Sequence, residues 1–336
     1  MSASLFEPMK LGALSLSNRI VMSPMTRDRA GPGDVPTDLM VEYYRQRASA
    51  GLIVTEGAQP SAVGKGYWRT PGIHSAQQIA GWAKVADAVH AEGGQIVMQL
   101  MHCGRVVVPA NRGFDAEIVA PSALPCADKV PGPDGVPLPT GLPRALEADE
   151  LPALAEEYAE AARNARAAGI DGVELHCSSG YLINQFLNPA SNQRTDEFGG
   201  SAENRARFPL MVLKAMANAI GGDRVGVRIS PGNPYNGMDV ADPAATFAPF
   251  LDGANAMGLA YLHVLDMGLA DLDTLAFCRA HWSGPIIANN MLTLESGTAL
   301  VAAGRGGAVS FRRGFIAKPR LGARLQAGGT QREVMK

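Results

Sequence analysis

Short apolar or β-branched runs alternate with longer helix-patterned segments along the whole chain. The runs are residues 19–23 (RIVMS), 52–56 (LIVTE), 95–100 (QIVMQL), 172–176 (GVELH), 225–229 (VGVRI), 261–264 (YLHV), 285–288 (PIIA) and 308–311 (AVSF). Several are continuously apolar rather than alternating, the pattern of strands buried on both faces of a parallel sheet. Between them, helical patterning covers 37–49, 76–91, 149–168, 201–220, 242–257, 271–282, 294–303 and 318–326. In the second of these, Ile79, Trp82, Ala83, Ala86 and Val89 recur near a 3.6-residue period, and Gly93 and Gly94 supply a left-handed stop. Thr37, after Pro36, and Ser201 stand where N-caps belong.

Eight strand–helix units argue for an α/β fold of one domain over 1–336, a closed (β/α)8 TIM barrel. An open doubly wound sheet is the alternative. It would carry a glycine-rich phosphate loop at the first βα turn, where this chain has Ser23, Pro24, Met25 and Thr26. The connection 104–146, after the third strand, is too long for an ordinary loop and rich in Pro and Gly. It is expected to be a lid over the barrel mouth, with room for a short hairpin.

Composition narrows the function. A chain of 336 residues, 46% hydrophobic, can bury a large core. The formal net charge of −2, from 30 Lys and Arg against 32 Asp and Glu, gives no basic surface for nucleic acid and no charged tail. The four cysteines (Cys103, Cys126, Cys177 and Cys278) form no CxxC pair, so neither a disulfide framework nor a zinc site is expected. The start MSASLFEPMK has no apolar run, and no segment approaches the roughly 20 apolar residues that span a bilayer. The expectation is a cytoplasmic enzyme, monomer or homodimer, acting on a small molecule without membrane or nucleic-acid partners.

In such barrels the active site lies at the C-terminal strand ends. Those ends carry Pro24 to Thr26, Glu56 to Gln59, Gln99 to Arg105, His176 to Tyr181, Arg228, His263, Ala288 to Met291, and Arg312 with Arg313. This set holds no acid pair for glycoside chemistry and no HExxH. His102, His176 and His263 fall on three strands, which leaves a three-histidine metal site as a minor alternative, but their spacing lacks the tight pattern of catalytic zinc and no metal is expected. Cations and hydrogen-bond donors remain, a set suited to an anionic cofactor.

Several long segments carry a resemblance to a known family: LFEPMKLGALSLSNRIVMSPMTRDRA, GDVPTDLMVEYYRQRASAGLIVTE, VHAEGGQIVMQLMHCGR, AGIDGVELHCSSGYLINQFLNPASNQRTDEFGGSAENRARF, VGVRISPGNPYNGM, YLHV and VSFRRGFIAKP. In order, they span nearly the whole chain. They are similar to the Old Yellow Enzyme family of FMN-dependent NADPH dehydrogenases and ene-reductases, of which the chain is a divergent member. The resemblance implies a TIM barrel that binds FMN, takes hydride from NADPH or NADH, and passes it by a ping-pong route to activated C=C bonds of enones, enals or nitroalkenes.

It also implies roles. His176 would donate a hydrogen bond to the substrate carbonyl oxygen, stabilising the charge that develops there. Ser179 would occupy the place of a second donor, usually Asn or His, and Tyr181 that of the proton donor. Thr26, flanked by Pro24 and Met25, would meet the flavin O4 edge, Gln99 the pyrimidine side, and Arg228 the N1/O2 region. Gly57 and Ala58 would flank the ring, Ala58 in place of a hydroxyl residue. Arg313 would bind phosphate. Arg312 there replaces a Gly, and Asn290 and Met291 replace a Gly pair, where Met would adopt a left-handed backbone poorly. Met101 replaces a Trp and would widen a substrate pocket that Tyr67 also lines. Cys177 is expected to be a buried structural thiol, and His102 and Arg105 to shape the base of the lid. These departures leave two alternatives: a flavin-retaining isomerase or pathway-specific dehydrogenase for a bulkier substrate, and a decayed, non-catalytic barrel. Structural readings of the same residues also stand: His176 as a satisfied core histidine, Tyr181 as loop packing, Arg228 as the ion-pair partner of Glu174.

Overall fold

Strands as apolar as these must be covered on both faces, and closing the sheet on itself does so while leaving no edge. In the computed structural model, which describes residues 4–327, eight parallel strands form a closed barrel in chain order. They are β1 (Ile20–Met22), β2 (Leu52–Ala58), β3 (Ile96–Leu100), β4 (Gly172–Cys177), β5 (Val225–Ile229), β6 (Tyr261–Leu265), β7 (Ile286–Asn289) and β8 (Ala308–Phe311). β8 pairs with β1 to close the ring. A register shift between Val54 and Gly57 bends β2 where it reaches the mouth.

The surrounding helices are α1 (Asp38–Arg45), α2 (Ala76–Ala91), α3 (Leu151–Ala167), α4 (Ala202–Ile220), α5 (Pro243–Asn255), α6 (Thr274–His281), α7 (Leu294–Ala302) and α8 (Leu321–Gln326). The periodic face of α2 packs inward through Trp82, Val85, Ala86 and Val89, all buried. The Ser201 hydroxyl caps α4 by accepting from the Asn204 amide. Thr37 does not cap α1: its hydroxyl donates to the Arg29 carbonyl at 2.9 Å instead. Two short helices, Leu182–Leu187 and Arg313–Ala317, were not legible from periodicity because five or six residues hold less than two turns. The last helical pattern, 318–326, starts only at Leu321, after Arg320 turns through a left-handed φ of 59°.

An antiparallel hairpin (Met9–Leu11 with Leu14–Leu16), absent from the sequence reading, packs Leu11, Leu14 and Leu16 with Val21, Leu52, Val97 and Ile287 of the barrel interior. At the other end, the 104–146 connection contains an antiparallel pair, Val130–Pro131 with Pro137–Leu138, and a parallel pair, Val119–Ala120 with Arg144–Ala145. It has an apolar cluster of its own, in which Val106, Val107, Ile118 and Val130 pack with Met101 and Tyr181. Arg105 at its base donates to the carbonyls of Asn236 and Gly237. No helix among the described residues is long and apolar enough to cross a membrane.

Candidate active site

The side chains of a strand alternate, so Glu174 and His176 share the inner face of β4, while Leu175 and Cys177 pack outward into the main core. Parallel register then sets His176 beside Arg228, Arg228 beside His263, and Glu174 beside Gln99. The result is one buried polar network. Gln99 Nε2 donates to Glu174 Oε1 at 2.8 Å, and His263 Nδ1 donates to Glu174 Oε2 at 2.8 Å. His263 Nε2 accepts from Arg228 at 2.5 Å and lies 2.8 Å from Ser310 Oγ. Arg228 Nη2 donates to Asn289 Oδ1 at 2.7 Å, and Asn289 Nδ2 donates on to the Ser310 carbonyl.

This arrangement corrects the direct pairing of Arg228 with Glu174: His263 stands between them. Burial and the Arg228 charge lower the His263 pKa to about 4, so the imidazole is neutral. Burial alone would raise Glu174, but the hydrogen bonds from His263 and Gln99 and the Arg228 charge hold it below its ordinary value. Burial brings Arg228 down to about 10, still a cation at neutral pH.

Above this network, His176 is 7% exposed. Its Nδ1 lies 3.3 Å from the Ser178 amide and 3.2 Å from Ser178 Oγ, while Nε2 has no partner among the described residues. Burial, then Arg228, pushes its pKa down to about 3. The Tyr181 ring meets the imidazole edge-on at 4.8 Å, and its hydroxyl lies 3.0 Å from that of Tyr67. Burial raises the Tyr181 pKa, so the phenol stays protonated. Met101 packs against Gly57, where any Cβ would come within 2.9 Å of the Met101 side chain.

The structure thus brings His176, Tyr181, Tyr67, Met101 and Gly57 together. Ser179 is placed differently. It occupies a left-handed φ of 56°, and its Oγ accepts from Asn233 Nδ2 at 3.4 Å. Its amide donates to Ser230 Oγ at 3.1 Å and its carbonyl accepts from Asn236 at 2.7 Å. Cys177 is fully buried and burial holds its thiol protonated. His102 is also buried, its Nδ1 accepting from the Gly104 amide. Among the described residues no group of three or more His, Cys, Asp or Glu is arranged to hold a metal.

Residues 4–332 match the model of the NADH:flavin oxidoreductase / NADH oxidase family. The chain belongs to that family. It is 41% identical to a probable flavin mononucleotide-dependent alkene reductase of Leishmania infantum, over 96% of this chain and 90% of that protein. It is 37% identical to 12-oxophytodienoate reductase 2 of Arabidopsis thaliana, over 97% and 89%. Among solved structures, the old yellow enzyme homologue of Zymomonas mobilis superposes with a TM-score of 0.93 at 38% identity, over 97% and 93% of the two chains. Morphinone reductase in complex with tetrahydroNAD does so with 0.92 at 41%, over 98% and 92%.

A flavin oxidoreductase of this family needs donors for an electron-rich ring and cations for a phosphate. The residues present fit. Arg228 and Gln99 lie in the mouth, and its two buried carboxylates, Glu174 and Glu56, are committed inward; Glu56 accepts from the Arg27 amide and from Tyr44. Thr26 is exposed, Met25 is buried and Pro24 half-buried, and Ala58 is fully buried. Arg312 and Arg313 are exposed, with no ion pair among the described residues. Neither Asn290 nor Met291 adopts a positive φ, so the strain expected at Met291 does not arise. Met291 is 85% exposed, and Asn290 Oδ1 accepts from its amide at 2.6 Å.

Sequence reasoning gave no role to Ser178 or Asn233, and although it named Glu174, His263 and Asn289 it did not foresee the hydrogen bonds that join them through Arg228. A signal existed for part of this: strict alternation on β4 puts Glu174 on the same face as His176.

Proposed function

We propose that this flavin oxidoreductase is an NAD(P)H-dependent ene-reductase that reduces activated C=C bonds of small molecules such as enones. The observation that supports this most is the pairing, inside one mouth, of a neutral imidazole whose Nε2 is unengaged with a buried, protonated phenol. Those are the two groups needed to polarise a carbonyl and to protonate the α-carbon.

Bound FMN would supply the hydride-transfer chemistry between a nicotinamide and the alkene. Arg228 and Gln99 would hold its ring, and Arg313, with Arg312, its phosphate. His176 Nε2–H donates to the substrate oxygen and stabilises the negative charge that develops there. The Tyr181 hydroxyl delivers a proton to the α-carbon, with Tyr67 at 3.0 Å fixing its orientation. Ser179 is drawn toward Asn233, so His176 acts as the principal donor and the pocket suits substrates that do not need two donors on one oxygen. Met101, unbranched and flexible, leaves room for a ring. The 104–146 segment excludes water above Tyr181, as its packing with that side chain allows.

Steady-state assay of NADPH oxidation with 2-cyclohexenone, identifying the saturated ketone as product, tests the reading. NADPH oxidation by oxygen alone, with no reduction of enones or nitroalkenes, would overturn it.

A further inference from the structure

The left-handed turn that follows β4 places a second serine where the sequence drew attention to the first. Ser178 is fully buried, and its Oγ has one partner among the described residues, His176 Nδ1 at 3.2 Å. The Ser178 backbone amide reaches the same nitrogen at 3.3 Å. A backbone N–H can only donate, and a neutral imidazole has one donor and one acceptor nitrogen. His176 Nδ1 must therefore be the acceptor, and the ring hydrogen sits on Nε2. The serine hydroxyl, with no other acceptor, donates to Nδ1 as well.

We infer that Ser178 is a positioning residue for His176: its amide and hydroxyl fix the tautomer that turns an N–H, rather than a lone pair, toward the substrate oxygen. The inference rests on the reading of His176 as the substrate donor. A ring flipped to the Nδ1–H tautomer would face two donors with a third and present an acceptor to the enone. Two donors on Nδ1 also draw electron density from the ring and make Nε2–H a stronger donor.

The turn is built to hold this contact. Ser179 at φ 56° and Gly180 at φ 74° reverse the chain directly after Ser178. Three hydrogen bonds pin the reversal: Ser179 amide to Ser230 Oγ, Asn236 Nδ2 to the Ser179 carbonyl, and Gly180 amide to Asn184 Oδ1. The charged and titratable groups around the imidazole are Arg228 on β5, Glu174 on its own strand, His263 on β6 and Tyr181 beyond the turn. None of them donates to Nδ1.

The test uses the flavin-loaded enzyme with 15N-labelled histidine, the His176 signals being assigned by their loss in His176→Ala. The expected wild-type spectrum shows a neutral ring protonated at Nε2. In Ser178→Ala the Nδ1 shift moves, and reoxidation of the reduced flavin by 2-cyclohexenone slows roughly threefold to tenfold, the scale of one neutral hydrogen bond, while flavin reduction by NADPH changes little. Ser178→Thr, which keeps the hydroxyl, restores both. A wild-type ring protonated at Nδ1, or a Ser178→Ala enzyme with unchanged shift and unchanged reoxidation, overturns the inference. If in that second case His176→Ala still slows reoxidation, only Ser178 loses its role. If His176→Ala does not slow it, the donor reading of His176 falls instead.

Discussion

The two ends of the barrel mouth are built on opposite principles. From β3 to β7 a set of buried polar side chains is tied together: Gln99, Glu174, His263, Arg228 and Asn289 form one chain of hydrogen bonds within the protein. At the β7 and β8 turns, Asn290, Met291, Arg312 and Arg313 are exposed, and the two arginines have no ion pair among the described residues. The first end is preorganised, so its charges are fixed before a ligand arrives, which is the condition for electrostatic catalysis. The second acquires its partners only when an anion binds. Loss of a residue should therefore damage folding and chemistry at the first end, and cofactor affinity alone at the second.

The contrast breaks most visibly at Arg228. Replacing it with Met leaves Glu174 buried without a nearby cation, and removal of one partner from a buried charged set costs about 3–5 kcal/mol. Urea denaturation should show that loss even without FMN. If the variant's apoprotein is as stable as wild type, the network does not carry the charge balance described.

His176→Ala comes next. Loss of a donor aimed at developing charge should slow the enone half-reaction roughly 100- to 1000-fold, with a much smaller effect on reduction by NADPH. Rapid mixing of each half-reaction separates the two. Equal slowing of both would assign His176 to cofactor binding.

At the open end, Arg313→Ala should raise the FMN dissociation constant roughly 10- to 100-fold, as expected for one charge-assisted hydrogen bond, while the apoprotein keeps its melting temperature. Arg312→Gly should weaken FMN by less. A drop in apoprotein stability for either would erase the distinction between the ends.

Glu56 tests the buried side by pH. Burial raises its folded pKa to about 7, against an ordinary value of 4.5. The stability that this proton confers is full below the unfolded value and is lost as pH rises toward 7. Glu56→Gln should therefore gain stability over wild type at pH 8, by about 2–3 kcal/mol at most, and none at pH 4.5. A gain independent of pH would mean that Glu56 is ionised throughout. His176 and His263 work in the other direction. Their depressed values, about 3 and about 4, make the fold lose stability as pH drops below the unfolded histidine range.

The smallest effect is expected at Ser179→Asn. Asn tolerates the left-handed φ of 56° better than Ser and reaches further, so the variant should be no less stable and should turn over cyclohexenone faster. A slower variant would show that the Asn233 contact matters more than reach.

The same division governs what could be read from the sequence. All eight barrel strands were legible because strands of a parallel barrel are short, largely apolar runs, several of them unbroken, that alternate with helical patterning. His176, Arg228 and Gln99 were legible because they end or lie in such runs. The partners that orient them were not: Ser178 acts through a turn whose direction depends on two successive left-handed residues, and Asn233 and Asn236 come from a loop without periodicity. Thr37 has the residue type of a cap, yet a carbonyl brought by another segment claims its hydroxyl. At the phosphate end, residue type suggested strain at Met291 that the backbone avoids.

One anaerobic experiment with the flavin-loaded protein tests the role of His176 most directly. NADPH should bleach the visible flavin absorption, and 2-cyclohexenone should then restore it in wild type and fail to do so on the same timescale in His176→Ala. A protein that takes up no FMN, or colour that returns equally fast in both, would contradict it.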